Sequence, residues 1–386
     1  MIAFVMSGGG SWGALEAGAL LALFEAGIKP GILVGTSAGS INSAFIATDP
    51  TLAGSHHLVD LWKQMRQKDL FPGGPSTMLW RLSHGRSLFP SDGLRQSLNR
   101  YLPADKRRFG DLQDVKLYIT AANLTTGTLY LYGDQPDASI IDAVIASSAH
   151  PVLYPPVRYG DYQLVDGGVI ANVPVGIAAE KGATEIYVLS VGYSDKAASY
   201  SGNLVQLLTR TILLMMYRHY LMDLRYVLEN TDVVLHHIPI RGFTDVPLWK
   251  LEHSEQMIEA GRKAVQDYLK EPLGLASLPA EVFGEPARDT APDGAQIYIP
   301  PCFHPGDVLG LPQQQRKITA YLSRRGDSDP ATMAQDLGCT LAQVRIDLAS
   351  MTKKGFVQHL PDGKARLVFG HSRRSKLPND ILDALS

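Results

Sequence analysis

Three short stretches hold residues whose types and spacing can do chemistry. Gly35-Thr36-Ser37-Ala38-Gly39 sets a serine hydroxyl among small residues. The apolar Ile32-Leu33-Val34 precedes it and the helix-compatible run Ser40 to Ala47 follows, so the stretch reads as strand, tight turn, helix. A serine on such a turn has a strained backbone, and Gly35, Ala38 and Gly39 keep clear of its hydroxyl. The helix N-terminus beneath Ser37 favours developing negative charge. That is the setting of a nucleophile. In the second stretch, Ser7-Gly8-Gly9-Gly10-Ser11-Trp12-Gly13, a glycine run follows the apolar Ile2-Ala3-Phe4-Val5-Met6. Successive glycines at the start of a helix expose backbone N–H groups as an anion cradle. Beside a nucleophilic serine, the N–H groups of Gly8, Gly9, Gly10 and Ser11 would form an oxyanion hole. The third stretch, Asp166-Gly167-Gly168 after Leu164-Val165, puts a carboxylate at a strand end in a glycine turn that lets another backbone approach.

Taken together and in this order, the three stretches resemble the patatin-like phospholipase family. Arg86-Ser87-Leu88-Phe89, Ala146-Ser147-Ser148-Ala149-His150-Pro151 before Tyr154-Pro155-Pro156, and Ala171-Asn172-Val173-Pro174-Val175 resemble its connecting segments. The resemblance covers roughly the first two-thirds of the chain. It implies a serine lipid acyl hydrolase of the phospholipase A or lysophospholipase type, with a Ser37-Asp166 dyad and no cofactor or metal. Ser37 would attack the ester carbonyl, and Asp166 would take its proton and later activate water. The substrate would be a phospholipid or another acyl ester. One position departs from the family: Trp12 stands where a basic residue is usual.

Other readings compete. Gly8-x-Gly10-x-x-Gly13 also satisfies a dinucleotide fingerprint, but no Asp or Glu ends the second strand, where Thr36-Ser37 stand. An α/β-hydrolase with a Ser-Asp-His triad would need a histidine after Asp166; His219, His236, His237 and His253 exist, none in an obvious catalytic turn. A non-catalytic regulator that senses lipid and binds DNA is the remaining alternative.

The elements that must position these residues follow from hydrophobic patterning. Strand and helix signals alternate through Lys116–Ala121, Thr128–Tyr132, Ile140–Ser147, Glu185–Val191 and Asp232–His236. The fold class is therefore α/β, a mostly parallel sheet flanked by helices. The spacing puts Leu58, Leu61, Trp62 and Met65 on one helix face and makes His56 and His57 surface or packing residues. Residues 70–84, rich in Gly, Pro and aromatics, read as a loop that rims the site. Residues 203–229 read as a long helix carrying Leu204, Leu207, Leu208, Ile212, Met215 and Met216. Packing on the sheet or at a dimer seam explains it, as does an adaptable surface that meets lipid, with Arg210, Arg218 and Arg225 toward head groups.

With 386 residues, 45% hydrophobic and 19% charged, the chain suits one large domain and a smaller one. A net charge of −2 excludes a whole-chain polyelectrolyte role. Two cysteines, Cys302 and Cys339, fit free thiols in a reducing compartment. There is no secretory signal pattern and no apolar run of about 18 residues. The expectation is a cytoplasmic protein with peripheral membrane contact.

Residues 1–277 form the expected hydrolase domain. Residues 278–312 carry seven prolines, from Pro279 to Pro312, and read as a linker, with Ile297-Tyr298-Ile299 as an added edge strand. Residues 313–386 resemble a winged helix-turn-helix domain: three helices, then a hairpin around Pro361-Asp362-Gly363-Lys364-Ala365. Of the chain's 36 basic residues, 12 lie here against seven acidic ones, net +5, leaving −7 for the remainder. DNA contact would run through Gln343, Arg345 and Lys353 on the third helix and Lys364 and Arg366 in the wing. Protein contact, including self-association into a homodimer, is the competing role.

Overall fold

The computed structural model describes residues 1–84, 87–151, 153–191, 204–243, 246–272, 312–353, 356–360 and 363–367. The chain divides into two compact units, Met1–Val282 and Phe283–Ser386.

Alternation along the first strand builds a three-layer unit. In β1 (Ile2–Met6), Phe4 and Met6 face one hydrophobic layer, while Ala3 and Val5 face the other. The neighbouring β2 (Ile32–Gly35) repeats the pattern, Leu33 against Ile32 and Val34. A strand buried on both faces needs helices on both, which is why parallel pairing dominates. The sheet has eight strands in the order β5-β6-β3-β2-β1-β7-β8, with β4 paired to β3. The strands β3 (Lys116–Asn123), β7 (Glu185–Val191) and β8 (Val234–Ile240) run parallel with β1 and β2. Three strands depart from this: β4 (Thr128–Tyr132) returns antiparallel along β3 through the turn at Gly127. β5 (Val157–Tyr159) and β6 (Tyr162–Asp166) form an antiparallel edge.

On one face, α1 (Gly13–Glu25) packs against α11 (Ser254–Lys270) and α3 (Leu52–Gln64). The α1–α11 crossing is backbone on backbone: a Cβ at Gly18 would meet the Ile258 carbonyl, and one at Gly261 the Leu15 carbonyl. The other face carries α9 (Val175–Glu180) and the long α10 (Leu204–Asn230). As expected, Leu58, Leu61, Trp62 and Met65 are buried, while His56 and His57 are exposed.

The stretch at 70–84 differs from the loop expected. It contains the end of α4 (Gln67–Leu70) and a two-turn helix, α5 (Pro75–Ser83). Pro75 opens that helix, where a missing N–H is harmless, so the Gly and Pro signals belong to its entrance rather than to its body. Arg86, Cys302 and the residues 278–311 expected as a linker, with Ile297-Tyr298-Ile299, lie outside the described residues.

The second unit contains helices Gln313–Arg325, Pro330–Asp336 and Leu341–Lys353 and a two-stranded antiparallel sheet, Val357–His359 with Ala365–Leu367. Asp329 caps the middle helix through the Ala331 and Thr332 N–H groups, and Pro330 follows it. Ile318, Leu322, Met333, Val344, Leu348 and Met351 form a separate core.

Candidate active site

Ser37 sits between β2 and α2 (Ala38–Thr48) with φ 53° and ψ −120°. Only one other described non-glycine residue, Phe243, has positive φ. Bonds on both sides hold this conformation. The Ser37 N–H donates to Ser147 Oγ at 2.8 Å. The Ser37 carbonyl accepts from the N–H groups of Ser40 and Ile41 and from Ser40 Oγ. Thr120 Oγ1 donates to Thr36 Oγ1, 2.6 Å away, which in turn donates to the Ala171 carbonyl. Gly39 is needed for close approach: a Cβ there would press on the Met6 and Ser7 carbonyls, and the Gly39 N–H donates to Ser7 O.

Asp166 reaches the same place from the antiparallel edge. It ends β6, in register with Ala121 of β3, and is 1% exposed. Its Oδ1 accepts from the Gly168 N–H at 2.8 Å, and the Ser37 side chain is near enough to favour the charged form of the same carboxylate. Burial pushes this carboxyl above the usual range, while His150, Ser37 and the Gly168 N–H pull it back. Hydroxyl and carboxylate thus share one pocket.

The glycine loop is held by a buried polar network. Ser7 N–H and Oγ both donate to Glu16 Oε1, at 2.7 and 3.0 Å. Asn42 Nδ2 donates to Glu16 Oε2 and to the Gly13 carbonyl, and Trp62 Nε1 donates to Asn42 Oδ1. Burial pushes the Glu16 carboxyl up to about 8. Two of the four expected oxyanion donors are used inside the protein: Gly8 N–H bonds the Asn172 carbonyl, and Ser11 N–H the Leu248 carbonyl at 2.7 Å. These two are therefore corrected out of the donor set, because each already satisfies a buried carbonyl. Gly9 and Gly10, with Gly10 at φ 56°, line the pocket beside Ser37, and neither N–H is used among the described residues. Trp12 is buried in the core, away from this lining.

Ser37 and Asp166 open into a pocket of about 650 Å³ of empty space, open solvent included. Its walls are mostly apolar: Ile41, Trp62, Leu70, Phe71, Leu94, Leu213, Met216 and Leu248. The long helix thus contributes one side and α4 the other. Met215 and Met216 separate, however. Met216 is 3% exposed and faces the pocket; Met215 is 51% exposed. Arg225 pairs with Glu229, and the Arg210 side chain lies outside the described residues.

Sequence reasoning missed His150, Ser148 and Asn172, which share this lining with Ser37 and Asp166. The four histidines weighed for a triad, His219, His236, His237 and His253, do not line it. No group of three metal-ligating side chains occurs among the described residues. In the second unit, Arg366 is paired with Asp327, and Gln343 Nε2 donates to Asp347. Arg345 and Lys364 are exposed, and the Lys353 side chain lies outside the described residues.

A mostly parallel, helix-flanked sheet presenting a serine on a strand-to-helix elbow, in one pocket with a buried aspartate, defines the class to which this unit belongs. Residues 4–179 match the patatin-like phospholipase family profile, and the chain carries a domain of that family. The Bacillus subtilis protein YqhO, itself uncharacterised, is 35% identical over 199 residues, 46% of this chain and 66% of YqhO. Mouse patatin-like phospholipase domain-containing protein 6 is 29% identical over 198 residues, 50% of this chain but 14% of that protein. Lysophospholipase NTE1 of Debaryomyces hansenii is 25% identical over 202 residues, 12% of its length. The chain therefore spans only a small part of the named phospholipases it matches and somewhat less than two-thirds of YqhO. VipD from Legionella pneumophila aligns at a TM-score of 0.40 with 16% identity, over 69% of this chain and 66% of VipD. Among the described residues, no helix is long and apolar enough to cross a membrane.

Proposed function

We propose that the first unit is a serine lipid acyl hydrolase of the phospholipase A or lysophospholipase type, working through a Ser37-Asp166 dyad. The observation that carries this is the strained Ser37 brought together with the buried Asp166 in one apolar-walled pocket. Ser37 Oγ attacks the ester carbonyl as Asp166 takes its proton. The tetrahedral oxyanion is received by Gly9 and Gly10 N–H. Asp166 returns the proton to the departing alcohol, leaving an acyl-serine. Water then attacks the acyl-serine, giving its proton to Asp166, and collapse frees the fatty acid and regenerates Ser37. Burial raises the carboxylate's basicity, which compensates for its being a weaker base than imidazole. The acyl chain lies along Leu70, Phe71, Leu213 and Met216. Exposed Leu214 and Met215 on α10, and Leu79 and Trp80 on α5, suit peripheral contact with a lipid surface.

Incubating lipid extracts with the wild-type chain and with Ser37→Ala, followed by lipid mass spectrometry, tests the reading. Release of fatty acid by wild type alone supports it; equal release, or none, removes it and leaves the lipid-sensing regulator.

For the second unit, we propose a winged helix-turn-helix module, on its three helices followed by an antiparallel hairpin. Arg345 and Lys364 then face duplex DNA. Binding by the full chain should weaken with rising salt and fall on Arg345→Ala; no binding at low salt leaves a protein-contact role.

A further inference from the structure

The turn after α7 (Ile140–Ser147) carries two polar atoms that the dyad mechanism does not use. Ser148 is 8% exposed and His150 is 7% exposed. Ser148 Oγ and His150 Nε2 are buried, and neither has a hydrogen-bond partner among the described residues. Both residues line the pocket that holds Ser37 and Asp166. A buried polar atom left unpaired costs about 1–3 kcal/mol, and two on one turn whose residues line one pocket call for a common reason.

The chemistry of the pair is fixed by what holds the ring. His150 Nδ1 lies 2.6 Å from the Pro151 carbonyl oxygen. A carbonyl only accepts, so Nδ1 carries the hydrogen, and Nε2 of the neutral ring is an acceptor. Ser148 Oγ can donate and accept. A single hydroxyl group satisfies both: it donates to Nε2 and accepts from Ser148 Oγ–H. A phosphate suits the place poorly. Among the described residues no Lys or Arg lines the pocket, whereas the Asp166 carboxylate does, so an anion would be desolvated there beside a like charge.

We propose that Ser148 and His150 form a subsite for a free hydroxyl on the alcohol half of the ester, a specificity determinant that rests on the hydrolase reading of Ser37 and Asp166. The apolar wall takes the acyl chain; this polar turn takes the glycerol side. The favoured substrates are monoacyl esters that keep a hydroxyl next to the scissile bond, whether or not a phosphate lies further out.

The test uses the full chain and two esters differing in one hydroxyl, monopalmitoylglycerol and the monopalmitate of propanediol lacking the central hydroxyl. A second arm compares a palmitoyl lysophospholipid with its analogue lacking the same hydroxyl, which separates glycerol recognition from headgroup recognition. A site built to bond a hydroxyl discriminates strongly against the analogue lacking it, and here the expected preference in kcat/KM is at least about 100-fold. The readout is the ratio, because His150 also bears on Asp166 and absolute rates move for both esters. Ser148→Ala and His150→Phe should bring the ratio below about 5-fold, and His150→Gln, which keeps an acceptor, should restore part of it. A wild-type ratio near one, or an unchanged ratio in both variants, overturns the proposal. Should wild type hydrolyse neither ester, the hydrolase reading fails on its own. Calorimetric titration with the matching ether pair, hexadecyl glycerol and its deoxy counterpart, then decides the subsite. Tighter binding of the glycerol ether that Ser148→Ala abolishes sustains it, and equal affinities reject it.

Discussion

Replacing Ser37 by glycine should give a more stable protein than replacing it by alanine. Both changes remove the hydroxyl beside Asp166, so both lose activity and both leave the same carboxylate without that neighbour. They differ in one Cβ, held at φ 53° and ψ −120°. The conformation cannot relax easily, because the Ser37 N–H is bonded to Ser147 Oγ and its carbonyl accepts from Ser40 and Ile41. A side chain in such a region costs about 1–3 kcal/mol. Glycine is free of that strain but loses roughly 0.5–1 kcal/mol more chain entropy on folding. The difference expected between the variants is therefore about 0.5–2 kcal/mol in favour of Ser37→Gly. For a unit of this size that is a few degrees in Tm. Tryptophan fluorescence in a urea titration suits the measurement, since all four tryptophans, Trp12, Trp62, Trp80 and Trp249, lie in the first unit. Equal stability, or a more stable Ser37→Ala, would refute the claim that the elbow stores strain.

Further outcomes follow from the same geometry. Ser37 and Asp166 act on one proton, so Ser37→Ala, Asp166→Ala and the double change should lose similar activity in kcat/KM, and additive losses would count against a dyad. Asp166 is held above the usual carboxylate range and must be ionised to accept a proton; activity should therefore appear on an acid limb above that range. Glu16 is pushed from 4.5 to about 8 in the folded state, so the folded protein holds that proton more tightly than the unfolded chain does. Its contribution is present below about 4.5 and is lost as pH rises through 8, a slope that urea titrations across this window should show and Glu16→Gln should flatten. Met216→Glu should destabilise the unit, whereas exposed Met215→Glu should keep its stability and slow hydrolysis of vesicle lipid more than of a soluble short-chain ester.

The serine elbow was legible because its requirements are local. Gly35 and Gly39 sit where a Cβ would meet backbone or Ser43 Oγ, and that constraint is written into five consecutive residues. The glycine loop was legible for the same reason, but its division of labour was not. Which N–H groups remain available depends on Leu248 and Asn172, more than 150 residues away, and no spacing within the loop encodes those partners. The helix at 75–83 was hidden because Pro and Gly at its entrance carry the signal of a turn, while its amphipathic body spans only nine residues. His150 was hidden by chain order. A triad search looks beyond the aspartate, but β6 runs antiparallel to β3, and Asp166 N–H bonds the Ala149 carbonyl. That bond lays the turn after α7 directly against the carboxylate, so the imidazole arrives from the residues before Asp166. A strand that reverses direction thus brings an imidazole into a pocket whose linear motifs name only a serine and an aspartate.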